Sequence, residues 1–181
     1  MIREPLAPGA FRTLWNNHAG YVRNFATFPG YYETGDAGHF DEDGFLHIMG
    51  RTDDIINVAG HRLSTGQMEQ IVAAQDGVAE CAVIGADDPI KAMVPIAFVV
   101  PRAGFESDDT LQTRVIAAVR AELGAVAALK TAYVVQGLPK TRSGKILRNL
   151  LRKIVNGEAW TTPPTIEDPN VPAAIEAAVK G

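Results

Sequence analysis

Between Lys140 and Lys153 the chain carries six basic residues and no acidic one, although the whole chain is acidic. The run opens with Leu138-Pro139-Lys140-Thr141-Arg142-Ser143-Gly144-Lys145. Gly144 permits tight backbone geometry, and Lys145 stands where the loop is expected to enter a helix. Backbone N–H groups at a helix N-terminus, joined by a flexible ammonium, suit a phosphate or a carboxylate. The Gly-x4-Gly-Lys-Ser/Thr spacing of a P-loop is absent. A solvated basic helix face after a turn would give the same run, and composition alone does not choose between the two.

A second candidate is Gly50-Arg51-Thr52-Asp53-Asp54-Ile55-Ile56-Asn57-Val58-Ala59-Gly60-His61-Arg62. Arg51 and Arg62 flank a short apolar strand, their guanidinium groups suit phosphate and ribose edges, and Gly60 lets the backbone approach a ligand closely. The plain alternative is two surface arginines paired with Asp53 and Asp54. A third is Tyr32-Glu33-Thr34-Gly35-Asp36, whose terminal carboxylate could accept hydrogen bonds from sugar hydroxyls, or which is simply a turn. His18, His39, His47 and His61 show no metal-ligand spacing, so no metal site is expected. Cys81 lies in an apolar stretch with no base near it in sequence and reads as an inert core thiol.

The elements that must position these groups belong to an ordinary globular chain. Of its 181 residues 46% are hydrophobic and 21% charged, enough apolar surface to exclude disorder as the main state. The balance of 17 Lys and Arg against 21 Asp and Glu, a net charge of −4, argues against general nucleic-acid or anionic-membrane binding. A single cysteine excludes an internal disulfide and fits a reducing compartment. No apolar run could span a bilayer as a helix, and Met1 to Pro5 lack the apolar core of a signal peptide. The expectation is a soluble, cytoplasmic protein.

Three stretches differ in character. Residues 1–52 are rich in Gly, Pro and aromatics, with one clear hairpin: His39-Phe40, a turn at Asp41-Glu42-Asp43-Gly44, then Phe45 to Met49. Residues 53–155 read as a compact α+β unit, a small sheet flanked by helices. Strands are expected at Ile55–Val58, at Cys81–Ile84 ending at Gly85, at Val94–Val100 and at Tyr133–Val135. One helix follows Ser64 and Gln67, at capping-box spacing, and buries Met68, Ile71 and Val72. A second runs from about Ser107 to Glu122 with Leu111, Val115, Val119 and Leu123 four apart, and a third runs from near Lys145 to just before Gly157. Residues 156–181, with four prolines, read as an extended tail with room for a short final helix.

Taken in order, Tyr32-x-Thr34-Gly35-Asp36, Gly50-Arg51-Thr52-Asp53-Asp54, Gly60-His61-Arg62-Leu63 and Pro139 to Lys145 resemble the C-terminal motifs of the adenylate-forming superfamily, specifically the short-chain acyl-CoA synthetases. The stretch Asn57 to Gly66 and the segment Thr165-Ile166-Glu167-Asp168-Pro169 are most similar to propionyl-CoA synthetases, with acetyl-CoA synthetases close behind. The resemblance implies the end of a large adenylation domain (1–52), a hinge and the small C-terminal domain (53–155), then the tail. The large N-terminal domain, with its phosphate loop and acyl pocket, is then the expected partner.

The resemblance further implies a two-step ligase using ATP, Mg²⁺, a short-chain carboxylate and CoA, with the 181 residues inactive alone. Lys145 matches the family's catalytic lysine, Asp36 and Arg51 its ribose-holding residues, and Arg62 a residue near the nucleotide phosphate. Asp53 matches the hinge, Gly60 the edge along which pantetheine runs, and Arg120 an arginine contacting the CoA nucleotide. It also implies Lys145 as a target of a lysine acyltransferase and deacylase. Two other classes stay open on the residues: a stand-alone CoA-, nucleotide- or partner-binding module, and an interaction domain using only the basic stripe of Arg148, Arg152 and Lys153.

Overall fold

Asp54 opens a unit that runs to Gly181, and Met1–Asp53 form another. The computed structural model describes residues 1–105 and 109–181, with the side chains of Met49, Asp53 and Asp109 outside the description.

In the first unit β1 (Ile2–Arg3) pairs antiparallel with β2 (Tyr31–Tyr32), and α1 (His18–Arg23) lies between them in sequence. The expected hairpin is formed by β3 (Asp36–Phe40) and β4 (Leu46–Arg51), with His39 opposite His47 and Phe40 opposite Leu46. Its turn is built by one carboxylate: Asp41 Oδ1 accepts the N–H groups of Asp43 and Phe45, and Oδ2 lies 2.7 Å from His47 Nε2. Phe11, Tyr21, Phe25 and Tyr32 meet edge-on or tilted at 5.1–5.5 Å. Among the described residues of this unit only Gly20 is buried. Its elements are too short to enclose a core.

The second unit is built on a five-stranded mixed sheet. Its strands are β5 (Ile55–Val58), β6 (His61–Ser64), β7 (Val78–Asp88), β8 (Ala92–Pro101) and β9 (Thr131–Val134), in the order β6-β5-β8-β7 with β9 parallel to β8. Alternate residues of the long β7–β8 ladder point to opposite faces, as a pleated strand requires. On one face Val83, Ala97 and Val99 meet Met68, Ile71 and Val72 of α2 (Thr65–Ala73) and Leu111, Val115 and Val119 of α3 (Asp109–Leu123). On the other, Ala82, Ile84, Ile96 and Phe98 meet Leu150, Leu151 and Ile154 of α4 (Arg148–Val155) and Ile175 of α5 (Val171–Lys180). Helices cover both faces of a small sheet, the expected α+β arrangement.

Several local expectations are corrected. β7 does not stop at Gly85 but continues to Asp88, with Gly85 opposite Pro95. That glycine makes room, because a Cβ there would strike Met93 Cε and press on Ile56. A further strand that the sequence pattern does not announce, β6, occupies His61–Ser64. Ser64 sits at the N-cap of α2 but its side chain makes no capping bond, so the capping box is not formed. Ser107, the expected start of α3, lies outside the described residues. The third helix begins at Arg148 rather than Lys145, for reasons given below. Residues 156–181 do end in the expected short helix, α5, but the tail is not free: Ile166 and Ile175 are 6% and 1% exposed and belong to the core of the second face.

Candidate functional site

The two N-terminal motifs are one piece of structure. Asp36 opens β3, Arg51 closes β4, and the two are cross-strand partners. Arg51 Nη1 donates to the Thr34 carbonyl at 2.7 Å and lies 3.4 Å from Asp36 Oδ1. Thr52 donates its N–H and its hydroxyl to the Gly35 carbonyl at 2.8 and 3.0 Å. Thr34 Oγ1 accepts the Asp36 N–H at 3.2 Å. Gly35 has φ +73°, and a Cβ there would run into the Arg51 guanidinium, so only glycine allows the approach. Thr34, Gly35, Arg51 and Thr52, with Asn24, Tyr32 and Glu33, line a polar cleft of about 370 Å³, and Asp36 stands outside that lining. A carboxylate that accepts and a guanidinium that donates, both part-exposed, suit a vicinal diol beside an anion.

The third motif is the tip of the β5–β6 hairpin. Val58 pairs with His61, leaving Ala59 and Gly60 as a two-residue turn at φ +50° and +90°. Both left-handed positions are what a type I′ hairpin turn demands. The Gly60 N–H is taken by Asn57 Oδ1 at 3.1 Å and the Ala59 N–H by the Lys91 carbonyl at 2.9 Å. No atom lies within 4 Å of where a Gly60 Cβ would stand, so the backbone there is open to an approaching chain. Arg62 is exposed on β6 opposite Asn57.

Lys145 does not enter a helix. Lys140 and Ile146 form an antiparallel bridge, and between them Thr141 N–H donates to the Lys145 carbonyl at 2.8 Å. Thr141 Oγ1 accepts the Lys145 N–H at 3.1 Å, the Gly144 N–H goes to the Thr141 carbonyl, and the Leu147 N–H goes to the Pro139 carbonyl. Every one of these backbone donors is used inside the loop, so Lys145 stands in a bridged loop three residues before α4 rather than at a helix N-terminus. What the loop presents is the side chain. Lys140 is bound by Glu80 at 2.8 and 2.9 Å and Arg148 by Glu69, whereas Lys145 is exposed and, among the described residues, makes no side-chain hydrogen bond or ion pair.

The sheet order separates these groups. Gly60 and Arg62 belong to the β6 edge, while the Lys145 loop stands beside β7, the opposite edge, where it shares a groove with Glu80 and Cys81. Arg120 is exposed on α3, its carbonyl accepting the Gly124 N–H. The side chain of Asp53 is outside the described residues, and the boundary between the two units falls directly after it. Among the described residues no cluster of three His, Cys, Asp or Glu could hold a metal ion, and no helix is long and apolar enough to cross a membrane.

Glu69 and Glu80, which hold the basic residues around the loop, were not legible as partners in the sequence. Each is some sixty or more positions from its cation, and no spacing rule links them. Cys81 is part-buried against Glu69, and burial, reinforced by the Glu69 charge, pushes its thiol up to about 11. It is part-buried at the side of the groove rather than in the core, and a raised thiol is a weaker nucleophile.

Residues 67–145 match the family described as AMP-binding enzyme C-terminal domain. The chain is 52% identical over 183 residues to an uncharacterized protein of Pseudomonas aeruginosa, covering 99% of this chain and 29% of that protein. It is 46% identical over 182 residues to the mitochondrial acyl-CoA synthetase short-chain family member 3 of mouse, covering 99% of this chain and 27% of that one. The crystal structure of ATP-bound MatB from Rhodopseudomonas palustris superposes with a TM-score of 0.69 at 28% identity, over 83% of this chain and 29% of MatB. The chain thus spans less than a third of the length of each of these proteins.

Proposed function

We propose, from the match of residues 67–145 to the AMP-binding enzyme C-terminal domain, that the chain is the C-terminal portion of an ATP-dependent short-chain acyl-CoA synthetase. The reaction is acid–thiol ligation. A carboxylate oxygen attacks the α-phosphorus of ATP and expels pyrophosphate to give acyl-AMP; the CoA sulfur then attacks the acyl carbon and expels AMP. Propionate is the proposed acid, on the similarity of Asn57 to Gly66 and Thr165 to Pro169 to propionyl-CoA synthetases, with acetate as the alternative. The proposed location is the cytoplasm.

Lys145 carries this reading. In the first step one anion attacks another, and a cation fixed between them stabilises the charge that builds up, without reorganisation. A lysine at the hydrogen-bonded base of a bridged loop, not engaged by any described carboxylate, has that property. Asp36 and Arg51, already side by side, hold the ribose hydroxyls. Mg²⁺ arrives with the ATP phosphates.

The second step uses the other edge of the sheet. Pantetheine runs along the open backbone at Gly60, Arg62 approaches the nucleotide phosphate, and Arg120 contacts the CoA nucleotide. A domain that turns about Asp53 can present the Lys145 edge and then the Gly60 edge, and the separation of the two across β6-β5-β8-β7 is what such a turn needs. The partner is a large adenylation domain bearing the acyl pocket. The exposed Lys145 amine is also open to a lysine acyltransferase, whose product would lose the charge.

The test is the purified chain with ATP, Mg²⁺, propionate and CoA, read by AMP release. No turnover is expected from the chain alone. With the large domain of a relative supplied, Lys145→Ala is expected to lower ATP–pyrophosphate exchange by about 10²–10³ and to leave thioester formation from propionyl-AMP largely intact. Equal loss in both half-reactions would sink the assigned role.

A further inference from the structure

The ammonium of Lys145 has no side-chain partner among the described residues, so its position depends on the backbone of its loop. One side of that loop is held from within by the Lys140–Ile146 bridge and the Thr141 hydroxyl. The other side is held by chain from far downstream. Thr141 bridges Ile166 antiparallel, Arg142 N–H donates to the Thr165 carbonyl at 3.1 Å, and Glu167 N–H donates to the Lys140 carbonyl at 2.8 Å. The three-residue segment is itself fixed. Ile166 is 6% exposed in the core with Leu138, Leu150 and Ile154, and Ile166 N–H closes a turn onto the Pro163 carbonyl at 3.1 Å. Beyond it, α5 packs Ile175 into the same cluster, so the tail is anchored on both sides of the contact.

We propose that Thr165–Glu167 is the positioning element of the Lys145 loop: it adds a short strand to the loop's outer side and sets where the lysine stands. Ile166 is the anchor, and the Glu167 N–H and Thr165 carbonyl are the contacts. None of these touches substrate; they act through the loop backbone. Loss of them leaves the sheet and its helices in place but lets the Lys140–Lys145 segment open, which costs the preorganisation that the first half-reaction requires. The proposal rests on the reading of Lys145 as the catalytic lysine.

The loop contains three bonds that trypsin cleaves, after Lys140, Arg142 and Lys145, and cleavage tracks the population of the opened form. The variants are Glu167→Pro, which removes one N–H donor and keeps the anchor; Ile166→Asn, which removes the anchor; and Ile166→Val, the conservative rescue. In the full chain, cleavage at the three loop bonds is expected to rise about three- to tenfold in Glu167→Pro and further in Ile166→Asn, and to stay near wild type in Ile166→Val. Cleavage after Arg114 and Arg120 in α3, on the other face of the sheet, serves as the control for global unfolding. No rise at the loop, or a rise matched in α3, would overturn the proposal.

With the large domain supplied, the two disruptive variants are expected to lose ATP–pyrophosphate exchange and keep thioester formation from preformed acyl-AMP, with Ile166→Val restoring exchange. A loop opened by Glu167→Pro with exchange unchanged would overturn the positioning role. Unchanged exchange in Lys145→Ala would instead overturn the catalytic reading on which it rests.

Discussion

Glu69 and Arg148 form a two-pronged ion pair, with both Arg148 Nη2–carboxylate distances at 2.9 Å, that joins α2 on one face of the sheet to α4 on the other. The same Glu69 Oε1 accepts the N–H of Val83 at 2.9 Å. Val83 lies on β7, the edge strand, whose outward N–H groups would otherwise be open to solvent or to another strand. A second outward N–H, that of Asp87, is accepted by Asn156 Oδ1 at 3.1 Å, and the Cys81 thiol donates to the Glu69 carbonyl. One carboxylate therefore caps one outward N–H of the edge strand and holds Arg148 at the start of the helix that follows the Lys145 loop.

Removing that carboxylate leaves Val83 N–H and the Arg148 guanidinium without it, both of them part-buried. Glu69→Ala is expected to lower stability by about 2–3 kcal/mol. Arg148→Met, which keeps the stem packing and frees no backbone group, is expected to cost less. Urea unfolding of the chain checks both, read as a shift of midpoint at unchanged slope.

The Cys81 thiol, pushed up to about 11 by burial and then by the Glu69 charge, makes a second prediction. A thiol two units above the ordinary 9.0 carries about a hundredfold less thiolate near pH 8. Iodoacetamide is expected to alkylate Cys81 in the folded chain about a hundredfold more slowly than in the chain unfolded in urea. The sign for stability follows: the folded state favours the neutral thiol, so its contribution is complete below pH 9 and is lost as pH rises toward 11. Equal alkylation rates in the two states would show that the thiol is not held this way.

Asp41 makes the opposite case. Its carboxyl is held below the ordinary 3.8, first by the hydrogen bond to His47 and then by the Phe45 N–H. A depressed carboxyl contributes order above its unfolded value and loses it as pH falls through the folded one. The amides of Asp43 and Phe45 are therefore expected to keep their bound NMR shifts down to about pH 4 and to move together below it. Asp41→Ala should abolish that joint transition, and amides that move independently in the native protein would count against a single organising carboxylate.

The core of the second unit was legible because its signal is local. Leu111, Val115 and Val119 recur every four residues and all three are buried; Met68, Ile71 and Val72 likewise. The β3–β4 hairpin was legible because Asp41 to Gly44 carry turn chemistry in four consecutive residues. What was missed depends on partners distant in sequence. The start of α4 slid from Lys145 to Arg148 because Thr141 takes the Lys145 carbonyl that a helix would use, and helix periodicity cannot show that. The tail read as extended because its prolines are visible while the core that receives Ile166 and Ile175 is not. Of the site, the hairpin brings the Asp36 and Arg51 motifs near each other, but their direct pairing needs a register shift at Ala37/Gly38 that the turn residues do not show. The separation of Gly60 from Lys145 needed the strand order, which no local pattern contains.

The β5–β6 turn gives the last prediction. Ala59 stands at φ +50° and Gly60 at φ +90°, so both turn positions are left-handed but only one holds the residue that adopts this freely. An L-residue there is strained by about 1–2 kcal/mol, while a glycine costs about 0.5–1 kcal/mol in chain entropy. The difference favours glycine, so Ala59→Gly is expected to raise stability by about 0.5–1 kcal/mol. Gly60→Ala places the strain at the second position, and although the space for a Cβ is open, the conformation is not, so a loss of about 1 kcal/mol or more is expected. Opposite shifts of the urea midpoint in the two variants are the check. A stabilised Gly60→Ala would mean that the turn is not held left-handed, and the open backbone proposed for pantetheine would lose its geometric basis.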